Sequence, residues 1–115
     1  MNPVRITYDP EGDILYLTFG QPTAATGYQL SDQILLRVDP KTQTAAGLTI
    51  FNFSRHVATA RKLLLPGLDE DLDVKPILWR ILTTPPVTHF LRLTKGKQGT
   101  GVILRSPSLQ EAIAA

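Results

Sequence analysis

The sequence contains no cysteine and only two histidines, His56 and His89, in 115 residues. Without cysteine the chain has no disulfide framework and no thiolate chemistry. Two histidines are also a poor supply of ligands for a zinc site, which relies on cysteine and histidine. We therefore expect neither a bound metal nor a cofactor.

Long apolar runs are also absent. The longest uncharged stretch covers residues 14–31 and is interrupted by Gly20, Pro22 and Gly27. It is therefore unsuited to a membrane-spanning helix. The first residues carry charges from Arg5 onward, which a signal peptide with its apolar central region would not. The sequence favours a cytoplasmic protein with no membrane association.

Basic charge is in small excess, with 12 basic and 10 acidic residues. The excess lies in residues 54–68 and 81–115, on either side of an acidic stretch around residues 69–73. Such a distribution permits an anionic partner, but a solvated surface with local salt bridges is the alternative. No recognition motif for nucleic acid is visible. The candidate contacts for an anionic partner are Arg55, Arg61, Lys62, Lys95 and Lys97.

Short alternating stretches predict strands throughout the first half of the chain. Turn residues separate them, notably the two Asp-Pro pairs at residues 9–10 and 39–40. The connections are too short for crossovers, so an antiparallel meander of four to five strands is expected. The predicted strands are Val4–Tyr8, Ile14–Phe19, Thr26–Leu30, Gln33–Val38 and Ala45–Phe53.

Helical spacing appears in the second half. Ser54 is expected to cap a helix over residues 55–65, and Pro76 to open a short helix over 77–82. A hairpin of residues 87–93 and 102–105 follows, and then a terminal helix that begins near Ser108. The expected fold class is α+β, with the meander packed on the first helix. No linker divides residues 1–115, so a single domain is expected, with 4–54 as the meander and 55–115 as its extension.

The acidic cluster Asp9, Glu11 and Asp13 invites a functional interpretation. A calcium loop needs glycine at its sixth position, whereas Gly12 is the fourth residue counted from Asp9. Catalytic carboxylates need burial, which a hairpin tip does not offer. The cluster is therefore interpreted as a turn, in which the Asp13 carboxylate accepts backbone N–H groups across the end of the hairpin.

The apolar helix around the single tryptophan is a candidate contact surface. It has more apolar side chains than a small domain needs to bury, which is compatible with a contact to a second subunit or another partner. Packing inside the chain's own core is the favoured interpretation of this helix. The proposed contact residues are Ile77, Leu78, Trp79 and Leu82.

Two stretches, YDPEGDILYLTF and GLTIFNFS, resemble the small bacterial proteins of domain-of-unknown-function family 2283. The resemblance covers about residues 4–54 and implies a fold but no assigned active site. Some such proteins are encoded beside small toxin-like partners, which implies an antitoxin-like or partner-binding role. The matching positions are Tyr8, Asp9, Asp13, Leu15, Tyr16, Gly47, Leu48, Ile50, Asn52 and Ser54.

Three functions remain open from the sequence. The preferred one is a non-catalytic protein-interaction or self-assembling module, with a homodimer or a small protein partner, because no catalytic constellation accompanies the surplus of apolar helix. The second is a nucleic-acid-linked or antitoxin-like regulator that uses the five basic residues. The third is a small-ligand binder or enzyme with a pocket between sheet and helix.

Overall fold

The computed structural model describes residues 4–21, 23–59, 62–69, 73–96 and 99–104. Eight strands and two α-helices are found there, with short 3-10 helices at Pro66–Asp69 and Val87–His89. The strands are β1 (Val4–Asp9), β2 (Ile14–Phe19), β3 (Thr26–Gln29), β4 (Ile34–Asp39), β5 (Thr44–Phe51), β6 (Leu63–Leu64), β7 (Leu91–Gly96) and β8 (Gly99–Leu104). The helices are α1 (Phe53–Thr59) and α2 (Lys75–Leu82).

The first five strands form one antiparallel sheet in the order β1-β2-β5-β4-β3. All five strands predicted from the sequence are present, and the antiparallel sheet accompanied by a few short helices is confirmed. The order is not that of a simple meander, because β5 returns to lie between β2 and β4. The chain therefore crosses from β2 to the far edge of the sheet before β3 begins.

The two Asp-Pro turns adopt the same conformation. The Asp9 carboxylate accepts the Glu11 N–H at 3.1 Å, and the Asp39 carboxylate accepts the Lys41 N–H at 2.9 Å. Four residues after each aspartate the backbone is left-handed, with φ of 56° at both Asp13 and Gln43. The two similar Asp-Pro sequences therefore form similar turns.

The second half departs from the predicted helix over residues 55–65. The helix α1 begins at Phe53 and ends at Thr59, and Leu63–Leu64 form the short strand β6 beside β8. Leu63 and Leu65 are buried while Leu64 is 40% exposed, which is the alternation of a strand. Strand pairing with β8 thus overrides the helical spacing of these leucines.

The C-terminal hairpin also differs in its bounds. Residues 87–89 form a 3-10 turn rather than the start of a strand, and β7 begins at Leu91. Strands β6, β8 and β7 make a second sheet in that order. Helix α2 has Pro76 in its first turn, as predicted. The predicted terminal helix near Ser108 lies outside the described residues.

One hydrophobic cluster joins the two halves of the chain. The inner face of the first sheet supplies alternate residues of β2, β4 and β5, and the second half supplies residues of β6, α2, β7 and β8. Phe19 stacks on Phe90 with ring centroids 6.1 Å apart. The meander is therefore covered by the second sheet and α2 together rather than by the predicted helix. The inner-face residues are Leu15, Leu17, Phe19, Ile34, Leu36, Val38, Leu48 and Ile50.

A backbone hydrogen bond at Gly67 joins the second half of the chain to the first sheet. The Gly67 N–H donates to the Leu30 carbonyl at 2.8 Å. A Cβ at Gly67 would overlap the carbonyl oxygen of Gln29 and lie 3.0 Å from the Leu30 Cα. The close approach of two backbones requires glycine at this position.

Replacing Gly67 with alanine should therefore lower the free energy of unfolding by about 1–3 kcal/mol, as expected for overpacking against a backbone. Urea denaturation followed by circular dichroism measures this loss. Gly27→Ala is the matched control, because its nearest contact is the Leu35 Cδ1 atom at 3.4 Å. Equal stability of the two variants would contradict the proposed role of Gly67.

Replacing Gln43 with glycine should raise the free energy of unfolding by up to about 1 kcal/mol, because glycine tolerates the left-handed conformation. The Gln43 side chain is exposed, so its loss removes little packing. Thermal denaturation would show the gain as a higher Tm. Lys41→Gly in the same turn should instead destabilise the protein, since Lys41 has no positive φ.

Candidate functional site

The Asp13 carboxylate lies at the centre of a hydrogen-bonded network. It accepts the Tyr8 hydroxyl at 2.6 Å, the Ser54 N–H at 2.9 Å and the Ser54 hydroxyl at 2.9 Å. The Asp13 carbonyl also accepts the Phe53 N–H at 3.0 Å. One residue of the first turn therefore receives the first N–H groups of α1, 41 residues further along the chain.

This network performs the task of an N-cap from a distant part of the sequence. The first N–H groups of a helix have no partners within the helix, and a nearby carboxylate satisfies them. The prediction that Asp13 accepts backbone N–H groups is confirmed, but the donors belong to α1. Ser54, predicted to be the capping residue, instead lies inside the helix and donates to Asp13.

The same hydrogen bonds change the acidity of the paired groups. Burial raises the pKa of Asp13, but the hydrogen bonds from Tyr8 and from the Ser54 backbone and hydroxyl outweigh it, so the pKa lies below its ordinary value. The hydrogen bond to Asp13 raises the pKa of Tyr8. Asp13 is thus held as a carboxylate and Tyr8 as a neutral donor, which is a structural arrangement.

The outer face of the five-stranded sheet offers a surface of a different kind. Strand registers place its residues in rows that run across the sheet. The central row reads Thr7, Tyr16, Thr49, Leu35 and Gln29. The row on one side reads Arg5, Thr18, Gly47, Arg37 and Gly27, and the row on the other contains Ile14 and Phe51.

Four large apolar side chains on this face do not contribute to the core. Ile14, Tyr16, Leu35 and Phe51 are neither members of the buried cluster nor packed against it, in the part of the chain that the structure describes. Tyr16 is 40% exposed and the other three are half-buried. A sheet with one face on the core usually turns polar side chains outward. We call these four residues, with Thr49 between Tyr16 and Leu35, the outer apolar face.

The predicted contact helix is largely buried. Leu78 and Leu82 lie in the core with 3% and 1% exposure, so neither is available to a partner in this fold. Ile77 and Trp79 are half-buried against the core, and the Lys95 ammonium lies 4.5 Å from the centre of the Trp79 ring. Only these two members of the predicted set keep surface for a contact.

The basic residues proposed for an anionic partner are spread over several elements. Arg55 is exposed on α1, while Arg61 and Lys97 lie outside the described residues. The Lys62 side chain covers Gly101 on one face of the second sheet, and Lys95 points to Trp79 on the other. Lys62 and Lys95 therefore do not form a common patch.

The described part of the chain has clefts that are open to ligands. A cleft of about 550 Å³ separates the Gln29–Gln33 turn from residues 62–67, and one of about 340 Å³ lies beside Pro85 and Pro86. In the first cleft the Ser31 hydroxyl accepts the Gln33 and Ile34 N–H groups, so it is used by the turn. Within the described ranges no three His, Asp or Glu side chains gather as a metal site.

The sequence of β2 already indicates the outer apolar face. In β2 the residues between the buried Leu15, Leu17 and Phe19 include Ile14 and Tyr16, so the strand is apolar on both sides. A strand that is apolar on both sides indicates that both faces of the sheet are covered. The sequence could not show which face belongs to the core, because that depends on the second half of the chain.

Comparison with known proteins gives one match. Residues 5–54 match the family described as a protein of unknown function, DUF2283, which confirms the resemblance seen in the sequence. No curated protein and no solved structure gives a significant match. The matched segment spans the complete five-stranded sheet, apart from its first residue, and the Tyr8–Asp13–Ser54 network. Among the described residues, no helix is long and apolar enough to cross a membrane.

Replacing Asp13 with asparagine should lower the free energy of unfolding at neutral pH by about 1 kcal/mol, because the amide loses the charge and one of the two acceptor oxygens. Asparagine tolerates the left-handed backbone at this position, so the loss reports on the carboxylate and not on the backbone. Tyr8→Phe should also destabilise the protein, whereas Tyr16→Phe on the exposed face should not. Urea denaturation at pH 7 compares the three variants.

The effect should depend on pH with a defined sign. Because folding lowers the pKa of Asp13, its contribution is complete above the ordinary carboxyl value of about 3.9 and is lost as the pH falls through the lower folded value. The unfolding free energy of the native chain should therefore fall more steeply below about pH 4 than that of Asp13→Asn. Parallel pH profiles for the two proteins would contradict the assignment.

Proposed function

We propose that the protein is a non-catalytic protein-interaction module that binds another protein chain through the outer apolar face, in the cytoplasm. The observation that carries the proposal is the position of Ile14, Tyr16, Leu35 and Phe51 on a sheet face that does not contribute to the core. Exposed apolar patches of this kind mark surfaces that other proteins cover.

The composition of the face supports a protein partner. An aromatic and an aliphatic side chain, Tyr16 and Leu35, flank the small residue Thr49. Aromatic residues are enriched in the centres of protein interfaces, while charged residues are depleted there. Arg5 and Arg37 stand in the neighbouring row, as polar rim residues do.

The chemistry of the Tyr8–Asp13–Ser54 network favours a non-catalytic role. These polar side chains lie in the matched family segment and hydrogen-bond to one another. Each is used to hold α1 against the first hairpin. The Asp13 carboxylate already accepts hydrogen bonds from a backbone N–H and from two hydroxyl groups, and its pKa is lowered. Such a carboxylate is a weak general base.

Native mass spectrometry of the protein purified gently from its own source tests the proposal. We expect an assembly that contains a second protein chain, whether a copy of this one or a different one. Leu35→Lys should weaken that assembly more than tenfold, because it places a charge in the centre of an apolar interface. The measurement compares the fraction of assembled protein across a dilution series.

Thr7→Lys is the matched control. Thr7 lies on the same face at the outer edge of the sheet and is exposed, so the added charge stays in solvent. Its assembly should equal that of the native chain. The proposal is wrong if the native chain is a monomer in its source, or if both lysine variants assemble equally well.

A further inference from the structure

The central strand β5 is paired on both sides over only part of its length. Strand β2 pairs with residues 47–51 and ends at Phe19, whereas β4 continues its pairing down to Thr44. Ala46 has no partner in β4 and forms a β-bulge there. In the described part of the chain, the start of β5 therefore has a neighbouring strand on one side alone.

This gap in the sheet opens into the cleft of about 340 Å³ beside Pro85 and Pro86. The first sheet supplies Val4, Phe19 and Ala45 to its lining. Phe19 belongs to the core, and Val4 and Ala45 pack against it, so the core holds these walls in place. Bulges often lie beside binding sites, where they end strand pairing. A cleft of this size with an apolar lining suits a small molecule.

A smaller chamber of about 170 Å³ continues the cleft. The two chambers share residues 44–45 and 85–86 in their linings, so they form one groove. Arg80 lines the smaller chamber, where its guanidinium donates to the Gln43 carbonyl at 2.8 Å. This hydrogen bond holds the guanidinium in place and leaves its other N–H groups for a ligand.

The lining of the groove carries positive charge without negative charge. Arg80 lies at one end, and His89 lines the larger cleft. Among the described residues, no Asp or Glu side chain lines either chamber. The Asp39 carboxylate, on the neighbouring strand, accepts the Lys41 N–H within its own turn. An apolar cleft that leads to an arginine is complementary to a molecule with an apolar body and a carboxylate, which arginine binds through paired N–H groups.

We propose that this groove binds a small amphipathic carboxylate, with its apolar body in the cleft beside Phe19 and Pro86 and its carboxylate on Arg80. The lining residues of the first sheet lie on the core side of that sheet, opposite the outer apolar face. The groove is therefore a second site, and it does not depend on the proposed protein interaction.

Titration of the protein with straight-chain carboxylates, followed by the NMR shifts of its backbone amides, tests the site. We expect octanoate to bind with a Kd below about 1 mM, and each methylene from butanoate to octanoate to tighten binding by up to about fourfold. The largest shifts should occur at Thr44 and Ala45. Octylamine, which has the same apolar body and the opposite charge, should bind about tenfold more weakly.

Replacing Arg80 with glutamine tests the charged end of the groove. The Kd for octanoate should rise about tenfold, while the Kd for octan-1-ol should stay the same, because the alcohol lacks the charge that Arg80 recognises. A loss of structure would weaken the binding of both. Arg92→Gln is the matched control, since Arg92 is exposed on β7 and lines neither chamber.

Replacing Ala45 with leucine tests the apolar end. The larger side chain occupies the cleft, so octanoate and octan-1-ol should both bind about fivefold more weakly or worse. Ala46→Leu is the control, because Ala46 is also half-buried but lines neither chamber. This pair, together with the preference of the native chain for octanoate over octylamine, tests the site even if Arg80→Gln does not fold.

The proposal is overturned if octanoate binds more weakly than about 1 mM, if octylamine binds equally well, or if the largest shifts lie away from the groove. Equal octanoate binding by the two arginine variants would also overturn it. Leu35→Lys, on the outer apolar face, should bind octanoate as the native chain does. Failure of the groove and failure of the protein interaction are therefore separate results.

Discussion

The hydrogen bonds to Asp13 determine how the chain leaves the first sheet. At that point β5 ends, Asn52 adopts a left-handed backbone with φ of 54°, and α1 begins. The carboxylate and carbonyl of Asp13 bind the N–H groups of Ser54 and Phe53, which places Phe53 in the core beside Tyr8. The start of α1 is therefore positioned by a residue in the first turn.

Each of the two Asp-Pro turns contacts one of the two α-helices. The left-handed residue of the first turn, Asp13, holds α1, and that of the second, Gln43, holds α2, because its carbonyl accepts the Arg80 guanidinium at 2.8 Å. The carbonyl groups of both left-handed residues point away from the hairpin and accept a hydrogen bond from a neighbouring helix. The family-matched segment thus binds α1 through Asp13 and α2 through Gln43.

The sequence predicted the local structure well where turn chemistry and alternation agree. The Asp-Pro turns and the strands around them follow from residue type, as does the presence of Pro76 in the first turn of α2. The order of the strands did not follow, because pairing of β5 with β2 depends on contacts far apart in sequence. The same holds for Leu63 and Leu64, whose helical spacing is overridden by β8. The outer apolar face was missed for this reason too, since the sequence does not show which face of the sheet the second half covers.

The central position of β5 has a consequence for folding. This strand is the last of the first sheet to be synthesised, yet it lies between two strands made earlier. Until residue 51 is available, the hairpin β1–β2 and the pair β3–β4 have no common partner. Strands β3, β4 and β5 are joined by short connections, as are β1 and β2, so the pairing of β2 with β5 is the non-local step in forming the first sheet. Before that pairing, the edges of β2 and β5 are open to contacts with other chains.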